Sequence, residues 1–516
     1  MPFEKGTMAI KRSSRPIRRG VTVFGIAATC MLSPGAALAH GFGARYDLPI
    51  PLSMYIWGAA WTVGLSFVIA GLFLHRFKDT GAGYSVDMLR APVLRWLAHP
   101  VMLEPVRAVV AALFLLVVAA GFFGTQDPFR NIAPTTIWVI WWVGMAYVSA
   151  LLGDLWALIN PLATVFRWAE VGWRAATGGE LSRNRLWPEG WGMWPAVVLF
   201  FAFAWSELVW AGADVPASLA TAMSAYAVVT WLGMARYGRR TWLAHGEVFA
   251  CVFGLLARFA PTQAVIRNGR PQWRLRPPAV GLLVERPVHP SLTCLAVLVL
   301  ATVSFDGFAE TSAWKAVLQW ALTSPDLSGL LFDLQGRGIG PVAVLTTAAL
   351  IVVPTVFFVV FVVVCELMAA AVRVFVPDAP LGWRSYDTLA LAGLFVLTLV
   401  PISIAYHLAH YLSFLAIAGQ YAIPLVSDPF GYGWDLFGTK LYFINLAVIN
   451  ARIVWFVSVT AIVFGHIIAV YLAHRMALRV FGNSRAALVS QVPMVALMIG
   501  YTMISLWIIA QPIVNE

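Results

Sequence analysis

Charge is scarce in this 516-residue chain: 11% of its residues are Asp, Glu, Lys or Arg, against roughly 25% in an ordinary soluble domain. That is too little to solvate so long a chain, and it excludes soluble and disordered classes alike. Cysteine is scarce too. Cys30, Cys251, Cys294 and Cys365 form no CxxC pair and no zinc spacing, so no disulfide framework or zinc module is expected. No GxSxG, Walker A, GxGxxG or HExxH stands in a credible setting, which disfavours serine-hydrolase, nucleotide and zincin chemistry. What fills the chain instead is apolar: 60% hydrophobic residues and a mean hydropathy of +0.79.

Apolar runs of about 20 residues, each able to cross a bilayer, recur from end to end. They predict an all-α, polytopic membrane helix bundle. The first run is a targeting segment. Lys5, Lys11, Arg12, Arg15, Arg18 and Arg19 precede an apolar stretch from Val21 to Leu32, and Ala37-Leu38-Ala39 supplies small residues for a signal peptidase. Residues 1–39 are therefore read as a signal peptide and 40–516 as a single transmembrane domain. An uncleaved anchor is the other reading. Spans are expected at 51–74, 107–124, 135–158, 191–210, 217–235, 288–305, 341–369, 388–418, 441–473 and 487–511. Trp242–Ala260 carries His245, Glu247 and Arg258 and reads as an interfacial or re-entrant helix.

The excess of 35 basic over 24 acidic residues follows this topology and does not point to nucleic acid. With His40 outside and each span reversing direction, the inner segments hold 23 Lys and Arg and the outer segments 6, the usual cytoplasmic bias. The expected location is the bacterial inner membrane, with both mature ends periplasmic. The outer face carries 11 acidic residues and is net negative, which favours cations. Arg267–Pro290 reads as an extended inner loop, and Trp314–Leu322 as an outer helix lying flat. Asp-Pro-Phe occurs in two outer loops, at Asp127–Phe129 and Asp428–Phe430, where Asp before Pro starts a turn.

Ionisable residues inside a membrane are costly and are functional candidates by default. The densest segment is Ser403 to Tyr411, where His407 and His410, three apart, present two imidazoles on one helical face. Two such groups make half of a metal site; histidines bonded to neighbouring helices are the structural reading. Third ligands at the same depth are Asp306 or Glu310, one turn apart, with the spare carboxylate as general base. Glu207, Asp127 and His466 are second-tier candidates, and Asn445, Arg452 and His466 fall on one face at heptad spacing. Cleavage before His40 would leave an α-amine and an imidazole on one residue, a pair that can chelate copper. Asp154 reads as a buried cap or ion-pair residue, and Glu366 with Arg373 as a polar seam.

The stretch His40-Gly41-Phe42-Gly43-Ala44-Arg45-Tyr46-Asp47-Leu48-Pro49-Ile50-Pro51-Leu52 resembles the mature start of the bacterial membrane family of fenitrothion hydrolases. Gly124-Thr125-Gln126-Asp127-Pro128 with Asn131 and Pro134, Gly153 to Pro161, and Tyr406 to His410 are similar to that family as well. The resemblance covers most of the chain. It implies a membrane-bound organophosphorus hydrolase that cleaves the aryl ester bond of an apolar phosphorothioate or phosphate triester. The family offers no catalytic motif to carry over, so the candidate residues remain those read from the chain itself. A divalent metal ion held by His407, His410 and Asp306 would supply both an activated water and charge stabilisation. Two other classes are open: a haem or copper protein of a periplasmic electron or metal pathway, and a small-molecule transporter.

Overall fold

The structure, a computed structural model, describes residues 45–73, 85–267 and 270–515. The predicted signal segment and His40 lie outside them. The described chain is a helix bundle, as its hydropathy requires. Nine helices among the described residues are long and apolar enough to cross a membrane: α1 (Leu52–Phe73), α2 (Pro100–Phe123), α3 (Ile132–Leu151), α6 (Pro216–Tyr237), α8 (Pro290–Ala309), α9 (Pro341–Phe375), α10 (Thr388–Ser427), α11 (Ala451–Phe481) and α12 (Ser484–Ile513). Three shorter helices complete the numbering: α4 (Pro161–Thr177), α5 (Trp194–Leu208) and α7 (Val248–Leu256).

The 15 residues of α5 extend only about 22 Å at 1.5 Å per residue, short of a typical hydrocarbon core. Chain connectivity still makes it a crossing. Strand β1 (Tyr46–Asp47) pairs in parallel with β5 (Val514–Asn515), in the register Tyr46 to Val514 and Asp47 to Asn515. The two ends of the described chain therefore meet at one face, which requires an even number of crossings. The nine long helices and α5 make ten. The loops at that face carry the acidic surplus and those opposite most of the Lys and Arg; they are called here the acidic and the basic end.

Helix boundaries follow local chemistry. Asn450 and Asn483 cap α11 and α12, each side-chain oxygen accepting an amide three residues on, at 2.8 and 2.7 Å. Asp387 caps α10 in the same way, from Ala390 at 2.7 Å. Inside α10 the turn Val396–Leu399 is 3-10, because Pro401 has no amide to offer the carbonyl of Leu397. In α3 the nine residues Thr135–Val143 form a π-helix. Such widened turns are rare and cluster at functional sites. Helices α8 and α10 lie at the centre, with 78% of their most apolar windows buried by other helices.

Several expectations are corrected. The last long span but one starts at Ala451 and not at 441; residues 441–450 form an irregular segment, so Asn445 is not on the helical face shared by Arg452 and His466. Part of the expected extended loop 267–290 is a hairpin of β3 (Thr262–Arg267) and β4 (Arg270–Leu275), joined at its edge by β2 (Val86–Asp87). Of the two readings of Trp242–Ala260, the interfacial one is excluded and a short helix that does not cross agrees with the re-entrant one: α7 has nine residues, and Val248, Phe249, Val252, Phe253, Leu255 and Leu256 are all buried in the core. Asp154 does cap a helix, from Ala157 at 2.9 Å, but it is exposed. The segment Trp314–Leu322 is helical, within Ser312–Thr323, and the Glu366–Arg373 pair forms, joined by the Thr388 hydroxyl at 2.6 Å. The two Asp-Pro-Phe turns pack on each other. Thr125 N donates to Phe430 O at 2.8 Å and Ile132 N to Pro429 O at 3.2 Å, which ties α2 and α3 to the segment after α10.

Candidate acid–base centre

Near its acidic end α8 carries Asp306, half-buried among helices where an ionised carboxylate needs partners. Helix α10 supplies them. His410 Nε2 lies 2.9 Å from Asp306 Oδ2, and the Tyr411 hydroxyl donates to the same oxygen at 2.5 Å. An ionised Asp306 cannot donate, so the shared proton of the first pair then belongs to Nε2. Tyr411 also stands 3.5 Å from Glu207 Oε1, at the acidic end of α5. One phenol thus bridges carboxylates from two helices, and both carboxylates border the same space.

That space is a cavity of about 30 Å³ between α3, α5, α7, α8 and α10. It admits a water molecule or two. Glu207, Asp306, His407 and Tyr411 form its polar wall, and Trp142, Phe200, Val252 and Val303 are among its apolar lining. His407 enters from α10 with its ring 4.7 Å from that of Tyr411 and 5.3 Å from that of Tyr147, and its Nε2 is buried without a hydrogen-bond partner. The Tyr147 hydroxyl holds the backbone beneath it, lying 3.3 Å from the His407 carbonyl and 3.4 Å from that of Leu408. The π-helical turn of α3 ends with Trp142 and Val143, and the Trp142 ring stands 6.0 Å from His407.

The structure therefore brings together Asp306, His407 and His410, grouped in the sequence reading as one site, and adds Glu207, a second-tier candidate there. It divides the two imidazoles between tasks: His407 lines the cavity, whereas His410 reaches it through Asp306. Glu310 follows the last residue of α8 as its C-cap and does not line the cavity. Asp127 is exposed and accepts from Phe129 N at 3.0 Å within its turn. His466 sits at the midpoint of α11, away from the lining. Among the described residues no three His, Cys, Asp or Glu side chains group where they could hold one metal ion. Cys251 and Cys365 are buried free thiols.

Sequence reading gave no role to Tyr411, Trp142 or Tyr147. Nor did it find the role of Glu247. Fully buried, Glu247 caps α7 from both oxygens, accepting from Ala250 N at 2.6 Å and Phe249 N at 3.3 Å. It also accepts from the Tyr226 hydroxyl, from Trp156 Nε1 at 3.3 Å and from Asn160 Nδ2 at 3.5 Å. This carboxylate seats α7, whose Val252 and Leu256 close the cavity. Comparison of the chain with family models, curated proteins and solved structures finds no match.

Proposed function

We propose that the cluster activates water against an apolar ester dissolved in the bilayer, and that the chain is a membrane-bound hydrolase of aryl phosphate or phosphorothioate triesters. One observation carries the reading: the carboxylate of an Asp–His pair, a second carboxylate, a phenol and an unpartnered imidazole nitrogen border a cavity sized for water. In this scheme His407 Nε2 takes the proton as the water oxygen bonds to phosphorus. The Tyr411 hydroxyl, which donates its one proton to Asp306 in the resting structure, turns that proton toward the phosphoryl oxygen or sulfur as charge gathers there, while the Asp306–His410 pair stays in place. The P–O–aryl bond breaks and the aryl oxide leaves. The resemblance to fenitrothion hydrolases supplies the substrate class.

The scheme has a geometric demand. A drug-sized ligand needs several hundred Å³, so α3 and α5 must part to admit a triester from the hydrocarbon. The acidic end faces the periplasm of a bacterial inner membrane in this reading. The divalent metal expected from the sequence enters no step, because the donors do not group to hold it; metal analysis of the purified protein checks that choice.

The test is release of the phenol from an aryl phosphotriester by protein in nanodiscs, run in oxygen-18 water. Turnover with the label in the phosphoryl product, and its loss in folded His407→Ala, is expected. Absence of turnover in the wild type, or full activity in His407→Ala, would refute the assignment.

A further inference from the structure

Polar groups continue inward from the centre, and several have nothing to bond. Tyr406, one turn before His410, is 1% exposed and its hydroxyl has no hydrogen-bond partner. It lies against the backbone of Gly307, where an added Cβ would stand 2.5 Å from the hydroxyl oxygen. On α8, two residues before Asp306, Ser304 shares a short hydrogen bond with the hydroxyl of Tyr501 on α12. The Tyr501 ring is 5.8 Å from that of His466 at the midpoint of α11. His466 is 1% exposed and its Nδ1 lies 2.8 Å from the Ile462 carbonyl. A carbonyl only accepts, so Nδ1 carries the proton and Nε2 is left as an acceptor, and it too has no partner.

Nearer the basic end the pattern recurs. His474 is 1% exposed with neither ring nitrogen partnered, and Gln491 Nε2 is likewise buried and unpartnered. Each stands seven residues from the basic end of its helix, α11 ending at Phe481 and α12 starting at Ser484, so the two share a depth. Adjacent helices α11 and α12 thus hold polar groups at matching depths, at the middle of α11 and toward the basic end.

Buried polar groups are nearly always satisfied, and in a bilayer core nothing but protein or trapped water can do it. A row of orphaned imidazole, phenol and amide groups marks a path for water, and titratable chains of this kind serve as proton relays. We infer that Tyr406, Tyr501, His466, His474 and Gln491 form a proton path between the acidic-end centre and the basic end of the bundle. From His466 to His474 the path must cross eight residues of α11, about 12 Å. Transfer across such an interval waits for water to enter, so the path runs at the pace of a carrier and not of an open pore. It stands independently of ester hydrolysis, because no substrate is needed to move the proton.

The full chain in phosphatidylcholine–phosphatidylglycerol vesicles, with an enclosed pH dye and a potassium–valinomycin potential, provides the test. Proton entry about fivefold above that of protein-free vesicles is expected, falling to the vesicle baseline in Tyr501→Phe and in His466→Leu. Tyr501→Phe keeps the ring and its packing, so a folding failure of the histidine variant leaves the test intact. Wild-type vesicles no leakier than empty ones, or undiminished flux in Tyr501→Phe, would overturn the path. Flux that persists in protein without triesterase turnover would count against the hydrolase reading alone.

Discussion

At the scale of the residue, the centre depends on the acceptor oxygens of Asp306. Replacing the carboxylate with an amide removes the negative charge and leaves a single acceptor oxygen for His410 and Tyr411; a loss of electrostatic positioning of this kind is worth about 10²-fold in rate. Tyr411→Phe removes the bridge to Glu207 and should lower kcat by about 10²-fold or more with little change in thermal unfolding, since the ring stays in contact with His407 and Phe414. The buried Glu247 is a contrasting case. Its loss strands a Tyr, a Trp and an Asn donor together with two helix N-terminal amides, so Glu247→Ala should cost about 3 kcal/mol or more, read as a lower unfolding temperature in detergent. Sequence could identify Asp306, His407 and His410 because ionisable residues in apolar runs stand out. It could not identify Tyr411 or Trp142, which are ordinary in a chain with 23 Trp and 14 Tyr and acquire meaning only from what lies across the cavity.

Among the elements, close approach of α10 and α11 is what positions the imidazoles. Gly465 lies so near α10 that a Cβ there would stand 2.5 Å from the Ala405 Cβ and 2.9 Å from the Pro401 carbonyl. Gly465→Val should therefore separate the two helices and destabilise the bundle by about 1–3 kcal/mol, with a matching drop in unfolding temperature; an unchanged value would mean that the crossing is not tight. Most spans were legible from hydropathy alone. The boundaries that failed did so for physical reasons. Residues 441–450 are apolar enough to extend α11, yet Asn450 caps the helix just ahead of Ala451. For α7 the flanking Glu247 and Arg258 left an interfacial and a re-entrant helix both open, and only the five donors converging on Glu247 show why the buried one forms. The π-turn in α3 leaves no periodicity that a sequence pattern can register, since nine residues are too few to separate its repeat from that of an α-helix.

For the whole molecule, β1–β5 pairing and the charge of the loops give a topology that labelling can check. Asp435→Cys at the acidic end and Glu180→Cys at the basic end both replace exposed residues. In intact cells a membrane-impermeant maleimide should modify the first and spare the second; the reverse pattern would invert the bundle. Among the described thiols Cys251 and Cys365 are buried, and the half-buried Cys294 is replaced by Ala in both proteins. The central claim is that the acidic-end cluster performs water-dependent cleavage inside the membrane, and the most direct measurement compares aryl phosphotriester turnover by wild type and Asp306→Asn in the same nanodiscs. The account predicts measurable wild-type turnover and a fall of at least about 10²-fold in the folded variant. Equal rates in the two proteins would contradict it.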